Sequence, residues 1–76
     1  MSLIQEFEEA VLVIDLAEYN LMAGDMGTIV DIDKTGQQVT VEFFALDGTT
    51  IAVVPMSIQA VRPVSSQEIA HARALR

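Results

Sequence analysis

Residues 39–44 limit the fold more than any other stretch. Val39, Val41 and Phe43 alternate with Thr40, Glu42 and Phe44, a period of two that suits a pleated strand with one buried face and does not suit a helix. Turn signals bracket the run: Asp33-Lys34-Thr35-Gly36 before it and Asp47-Gly48 after it. Gly supplies positive φ and Asp bonds its own backbone, so each turn reverses the chain within a few residues. A strand with a tight reversal at both ends is the middle of an antiparallel meander. Its neighbours are read as Thr28–Asp33 and Thr50–Val54, the latter stopping at Pro55, which has no amide hydrogen to give to a ladder.

Two more strands complete the pattern. Ala10–Ile14 is continuously apolar and β-branched, as in a strand covered on both sides. Asp15–Asp25 follows as a long loop ending in Gly24-Asp25, and Gly27 marks a bulge or a close backbone approach at a strand head. Met56–Gln59 has room for a single turn, and Ala60–Val64 is a short last strand that Pro63 places at an edge. Residues 1–8 form a lead-in containing Leu3, Ile4 and Phe7, with room for one turn of helix. Residues 65–76 change character: Ser65-Ser66-Gln67-Glu68 has capping-box spacing, and Ala, Glu, Arg and Leu then favour helix. Arg73 and Arg76 suit its C-terminal end. The expectation is an all-β fold, a small five-stranded SH3-like barrel over residues 9–64 with a short C-terminal helix. Closure would remove sheet edges that a small antiparallel protein must otherwise protect.

The run Val13-Ile14-Asp15-Leu16-Ala17-Glu18-Tyr19-Asn20-Leu21 leads into Gly24-Asp25-Met26-Gly27-Thr28-Ile29-Val30. Val41-Glu42-Phe43, Asp47-Gly48-Thr49-Thr50 and Val61-Arg62-Pro63 follow. Across residues 9–64 this pattern resembles domain-of-unknown-function family 4926, small bacterial proteins common in cyanobacteria. Ile29 stands where that pattern has the first of two valines. The resemblance implies a fold and brings no activity with it. More distantly, Gly24 to Val30 looks like the strand opening of SH3-like barrels, among them KOW-type ribosomal and transcription modules, the nitrile hydratase β chain and small photosynthetic accessory subunits. Kinship of fold alone is a weak guide to function.

Charge and composition narrow the classes. The chain has 11 acidic residues against 4 basic ones, a net charge of −7. Phosphate neutralisation needs clustered Lys and Arg, and here the cations are Lys34, Arg62, Arg73 and Arg76. Nucleic acid and anionic membrane surfaces are therefore not expected partners, and a KOW-like nucleic-acid or ribosome-associated role remains only as the alternative reading. Cys is absent, which excludes disulfides, thiol catalysis and Cys-ligated metals. No apolar run reaches the ~18 residues of a bilayer span. The first residues lack a basic, apolar leader, so a cytoplasmic location is expected.

Candidate chemistry is sparse. Asp31 and Asp33 lie two apart on a strand and share a face, but Ca²⁺ wants six or more oxygens, and a solvated face beside a turn is the simpler reading. Glu6, Glu8 and Glu9 read as a solvated acidic terminus. His71, the lone histidine, lacks the converging partners that catalysis needs. No cofactor, metal or catalytic residue is expected. What the chain has in surplus is apolar surface: its mean hydropathy is +0.41. Alternation turns Phe44 outward, either to cap a barrel end or to enter an interface. Tyr19, Met22, Met26 and Val54 join it as a candidate protein interface, since methionine adapts well to binding surfaces. The reading is a non-enzymatic protein-interaction module, a small acidic partner or regulatory subunit of another protein, of antitoxin or accessory-subunit kind. Its partner would be encoded by a neighbouring gene, or be a second copy in a homo-oligomer.

Overall fold

The computed structural model describes residues 4–75. Five strands form one antiparallel sheet: β1 Glu9–Leu12, β2 Met26–Ile32, β3 Gln38–Phe44, β4 Thr50–Ser57 and β5 Val61–Pro63. Their spatial order is β4-β3-β2-β1-β5. Short 3-10 turns cover Ala17–Tyr19 and Ile58–Ala60. The strand sequence, the long first loop, the two hairpins and the turn before the last strand follow the order expected from the sequence.

One face of the sheet holds the core. The register sets Ile29 against Val41 and Val41 against Val54, so all three share a face, and Ala10, Leu12, Val39, Phe43, Met56 and Val61 join them. Ile29 and Val41 have no exposed surface at all. A flat single sheet would leave that face open to water, so the sheet must curl, and the first loop and Ile4 cover what remains. Two register irregularities, between Ile29 and Asp31 and between Phe43 and Phe44, supply the bends, because an extra residue in one strand increases local twist.

Gly27 sits where β1, β2 and β3 come together, paired with Ala10. An added Cβ there would lie 2.5 Å from Val41 Cγ1, 2.9 Å from the Glu42 carbonyl oxygen and 3.0 Å from Phe43 Cδ1. The glycine expected to mark a close approach does so: space, not positive φ, excludes a side chain. Both turns also form as read. Asp33 Oδ1 accepts from Thr35 Oγ1 at 2.9 Å and from the Gln37 and Gln38 amides at 3.1 and 3.3 Å. Asp47 Oδ1 accepts from the Thr49 amide at 2.9 Å, with Gly48 at φ 90°.

Several expectations need correction. The sheet is not closed: among the described residues β4 and β5 are both edges, with no ladder between them. Each edge carries a proline, and β5 has only three residues, so neither can supply the amide row that closure requires. β4 does not stop at Pro55. It runs on to Ser57, because on an edge strand the missing amide hydrogen can face solvent, and the register continues through Pro55, opposite Thr40, to Met56 and Ser57. β1 ends at Leu12, where Val13 and Ile14 bend away exposed. The lead-in is not a helical turn; Phe7 N–H donates to the Ile29 carbonyl and Ile29 N–H to the Glu8 carbonyl, which ties the segment alongside β2. Leu3 lies outside the described residues.

The C-terminal helix is absent as well. Residues 68–75 have no regular structure, although half of the capping box forms: Ser65 N–H donates to Glu68 Oε2 at 2.7 Å, while Ser65 Oγ accepts from the Gln67 amide at 3.1 Å and the Glu68 amide donates to the Ser65 carbonyl. A helix this short is marginal alone. Two ion pairs compete with it. Arg62 grips Glu68 through Nη1 and Nη2, each at 2.8 Å, and Arg73 reaches across to Asp25. The tail is thereby drawn along the domain in an open conformation. Arg76 lies outside the described residues.

Candidate functional site

The first loop is stiffened from within. Leu16 and Leu21 form an isolated bridge, the 3-10 turn lies between them, and Asn20 takes a left-handed backbone at φ 59°. Asp15 Oδ1 accepts from the Ala23 amide at 2.8 Å, and Asp25 Oδ2 from the Met22 amide at 2.9 Å. Gly24 N–H donates to the Leu12 carbonyl, and Leu12 N–H to that of Asp25, so the loop base is locked to the end of β1. Beside it lies an open groove of ≈ 240 Å³ lined by Asp15, Ala17, Asn20, Leu21, Met22 and Arg73.

Arg73 reaches this groove from 48 residues away in sequence. Its Nε donates to Asp25 Oδ1 at 2.8 Å, and Nη2 to Asp25 Oδ2 at 2.6 Å and to the Asn20 carbonyl at 2.9 Å. Both side chains are largely covered, at 27 % and 17 % exposed. Such a two-point grip is the strong form of a charge-assisted contact. The Arg73 hydrogen bond holds the Asp25 carboxyl below its ordinary range; burial opposes this, and the Met22 amide assists. At the other end of the tail, Arg62 and then the Ser65 amide lower the Glu68 carboxyl to about 2.

A second surface lies on the outward face of the sheet. Val11 pairs with Met26, Thr28 with Glu42, and Glu42 with Val53. Extending the β2–β3 register by two residues sets Met26 opposite Phe44. Met26 is 44 % exposed, Phe44 46 % and Val53 52 %. Glu9, Glu42 and Asp31 stand on the same face, since Glu9 pairs with Thr28 and Asp31 with Thr40.

The candidate interface residues therefore fall in two places. Met26 and Phe44 share the outward face, Met22 lines the groove, and Tyr19 is exposed on the 3-10 turn of the same loop. Val54 belongs to neither. Its pairing with Val41 puts it on the core face, 3 % exposed, and the outward valine of β4 is Val53. Phe44 is half-exposed on the outward face. His71 is exposed, Asp31 is exposed, and Asp33 is engaged in its turn. Among the described residues no three His, Asp or Glu side chains converge to hold a metal ion, and no helix is long and apolar enough to cross a membrane. Sequence reasoning missed the Arg73–Asp25 contact, for which no local signal exists. It also missed the Arg62–Glu68 pair, because Glu68 was read as a helix cap alone.

These features define a small antiparallel all-β domain with a curled five-stranded sheet, an open groove beside its first loop and half-exposed apolar residues on its outward face. The family model described as Domain of unknown function (DUF4926) matches residues 6–63, and the chain belongs to that family. The match takes in Phe7 and Glu8, which bond to β2, and ends before the tail. No curated protein and no solved structure matches the chain significantly.

Proposed function

We propose that this chain is a non-enzymatic protein-interaction module of SH3-like barrel kinship, a small acidic partner or regulatory subunit of another protein, of antitoxin or accessory-subunit kind. The observation that carries this reading is the outward apolar group Met26, Phe44 and Val53, each about half exposed on one face. Single exposed apolar side chains are ordinary on any protein surface, whereas several on one face favour a contact there. The acidic residues around it, Glu9, Asp31 and Glu42, and the net charge of −7 favour encounter with a basic partner and discourage acidic ones.

Affinity capture of the tagged chain from its own host, followed by mass spectrometry, tests the reading. One stoichiometric protein should be recovered with the native chain and lost with Phe44→Asp, while the variant keeps its melting temperature within a few degrees, as an exposed substitution should. Recovery of the same protein with both chains would reject the Phe44 surface. Recovery of RNA in place of a protein would favour the KOW-like alternative.

A further inference from the structure

We propose that the Asp25 carboxylate and Asn20 carbonyl beside the first-loop groove form an arginine-reading site for an extended segment of a partner protein, and that the chain's own tail occupies it through Arg73 as a displaceable stand-in. The proposal rests on the reading that the chain binds another protein, and it names a second surface and the chemistry that surface recognises.

The case begins with what holds the tail. Ile69 is 94 % exposed and Leu75 47 %, and of residues 69–75 only Arg73 is more deeply covered. The tail is seated at that point by one side chain. The receiving site, in contrast, is built. Asp25 is oriented by the Met22 amide, the Asn20 carbonyl is presented by a left-handed backbone, and the loop is braced by Asp15 and by the Leu16–Leu21 bridge. Asp25 meets the guanidinium at two points and the Asn20 carbonyl adds a third. A planar, forked donor fits this arrangement and an ammonium does not. Leu21 and Met22 give apolar wall to whatever flanks the arginine. Arg73 is thus a ligand already seated in the site, and it shows what the site selects: arginine in a chain with no regular structure.

A tethered occupant competes at an effective concentration near the millimolar range for a short linker. An external arginine segment must therefore either make further contacts, for which the exposed Tyr19 and Met22 are available, or arrive on a partner already held at the Phe44 face. Both cases make tail release a consequence of partner binding.

The test uses the full chain carrying Arg73→Ala, which vacates the Asp25 and Asn20 acceptors without touching the core. The probe is a capped peptide of residues 70–75, Ala-His-Ala-Arg-Ala-Leu, titrated while backbone amide shifts are followed by NMR. Shifts should centre on Asn20, Met22 and Asp25. The native chain should bind the peptide at least about tenfold more weakly, because its tail competes. A peptide with lysine in place of arginine should bind the variant about tenfold more weakly, losing the fork. Adding Asp25→Asn should abolish the shifts. Equal binding by native and Arg73→Ala chains, equal binding of the two peptides, or no shifts up to about 10 mM peptide, ten times that tethered concentration, would each overturn the proposal. A concentration-dependent dimer of the native chain that is lost on Arg73→Ala would make the occupant a second copy and overturn the assignment to a partner. Failure here leaves capture through Phe44 standing, and failure of that capture leaves the peptide titration unaffected, so the two readings fall separately.

Discussion

Replacing Gly27 with alanine adds one methyl group at the tightest point of the sheet. In isolation the exchange should help, since trading Gly for Ala lowers the entropy of the unfolded chain by an equivalent of about 0.4–1 kcal/mol. The surroundings reverse the sign. The new Cβ would stand 2.5 Å from Val41 Cγ1 and 2.9 Å from the Glu42 carbonyl oxygen. The first neighbour is a side chain with no exposed surface and no room to turn, and the second is backbone held in the β2–β3 ladder. Overpacking a filled interior costs about 1–3 kcal/mol, and a clash with backbone belongs at the upper end. The net is a loss of about 2–2.5 kcal/mol, which for a domain of this size lowers the melting temperature by about 10–20 °C. Thermal unfolding followed by circular dichroism measures it. Gly48→Ala is the control: nothing lies within 4 Å of the added Cβ, but φ is +90°, so its cost is conformational and about 1 kcal/mol. A double-mutant cycle isolates the cause. Val41→Ala removes the nearest atom, so the double variant should be more stable than the sum of the singles by about 1 kcal/mol. If Gly27→Ala melts within 2 °C of the native chain, or if the cycle shows no coupling, the close approach is not what the glycine serves.

Two further outcomes follow from the geometry. Val54→Ala should cost about 2 kcal/mol, from two buried carbons and the cavity left behind, whereas Val53→Ala should stay within about 0.5 kcal/mol; equal effects in urea unfolding would show that the β3–β4 register is misplaced. Glu68 has its carboxyl lowered from 4.5 to about 2, so its stabilising effect is present above pH 4.5 and is lost as the pH falls toward 2. The melting-temperature gap between the native chain and Glu68→Gln should accordingly be constant at neutral pH and shrink through that window, and a gap that widens on acidification would contradict the Arg62 pairing.

The strands were legible because their signals are local. Alternation at Val39–Phe43, the Asp33 and Asp47 turns and the glycine at 27 each act within a few residues, so a linear reading reaches them. Closure was not legible, because it depends on whether two distant edges meet, and prolines 55 and 63 can sit on edges of an open sheet as readily as near a seam. Val54 was misplaced for a related reason. With Ile51, Ala52, Val53 and Val54 all apolar, β4 has no polar partner residue to say which side faces inward, and only its register against Val41 decides.

The tail divides the two kinds of information most sharply. Its sequence sets a capping box and a good helix composition, and the Glu68 half of the box forms. Whether helix follows depends on Arg62 and Asp25, one on β5 and the other at the head of β2, and on charge-assisted contacts that outweigh a marginal helix. Sequence by itself determined that this chain makes short strands with tight turns, carries a strong negative charge and belongs among all-β domains. Tertiary structure alone decided which apolar residues remain on the surface and where the two arginines go, because burial and ion pairing are set by what folding brings near, not by what stands adjacent in the chain.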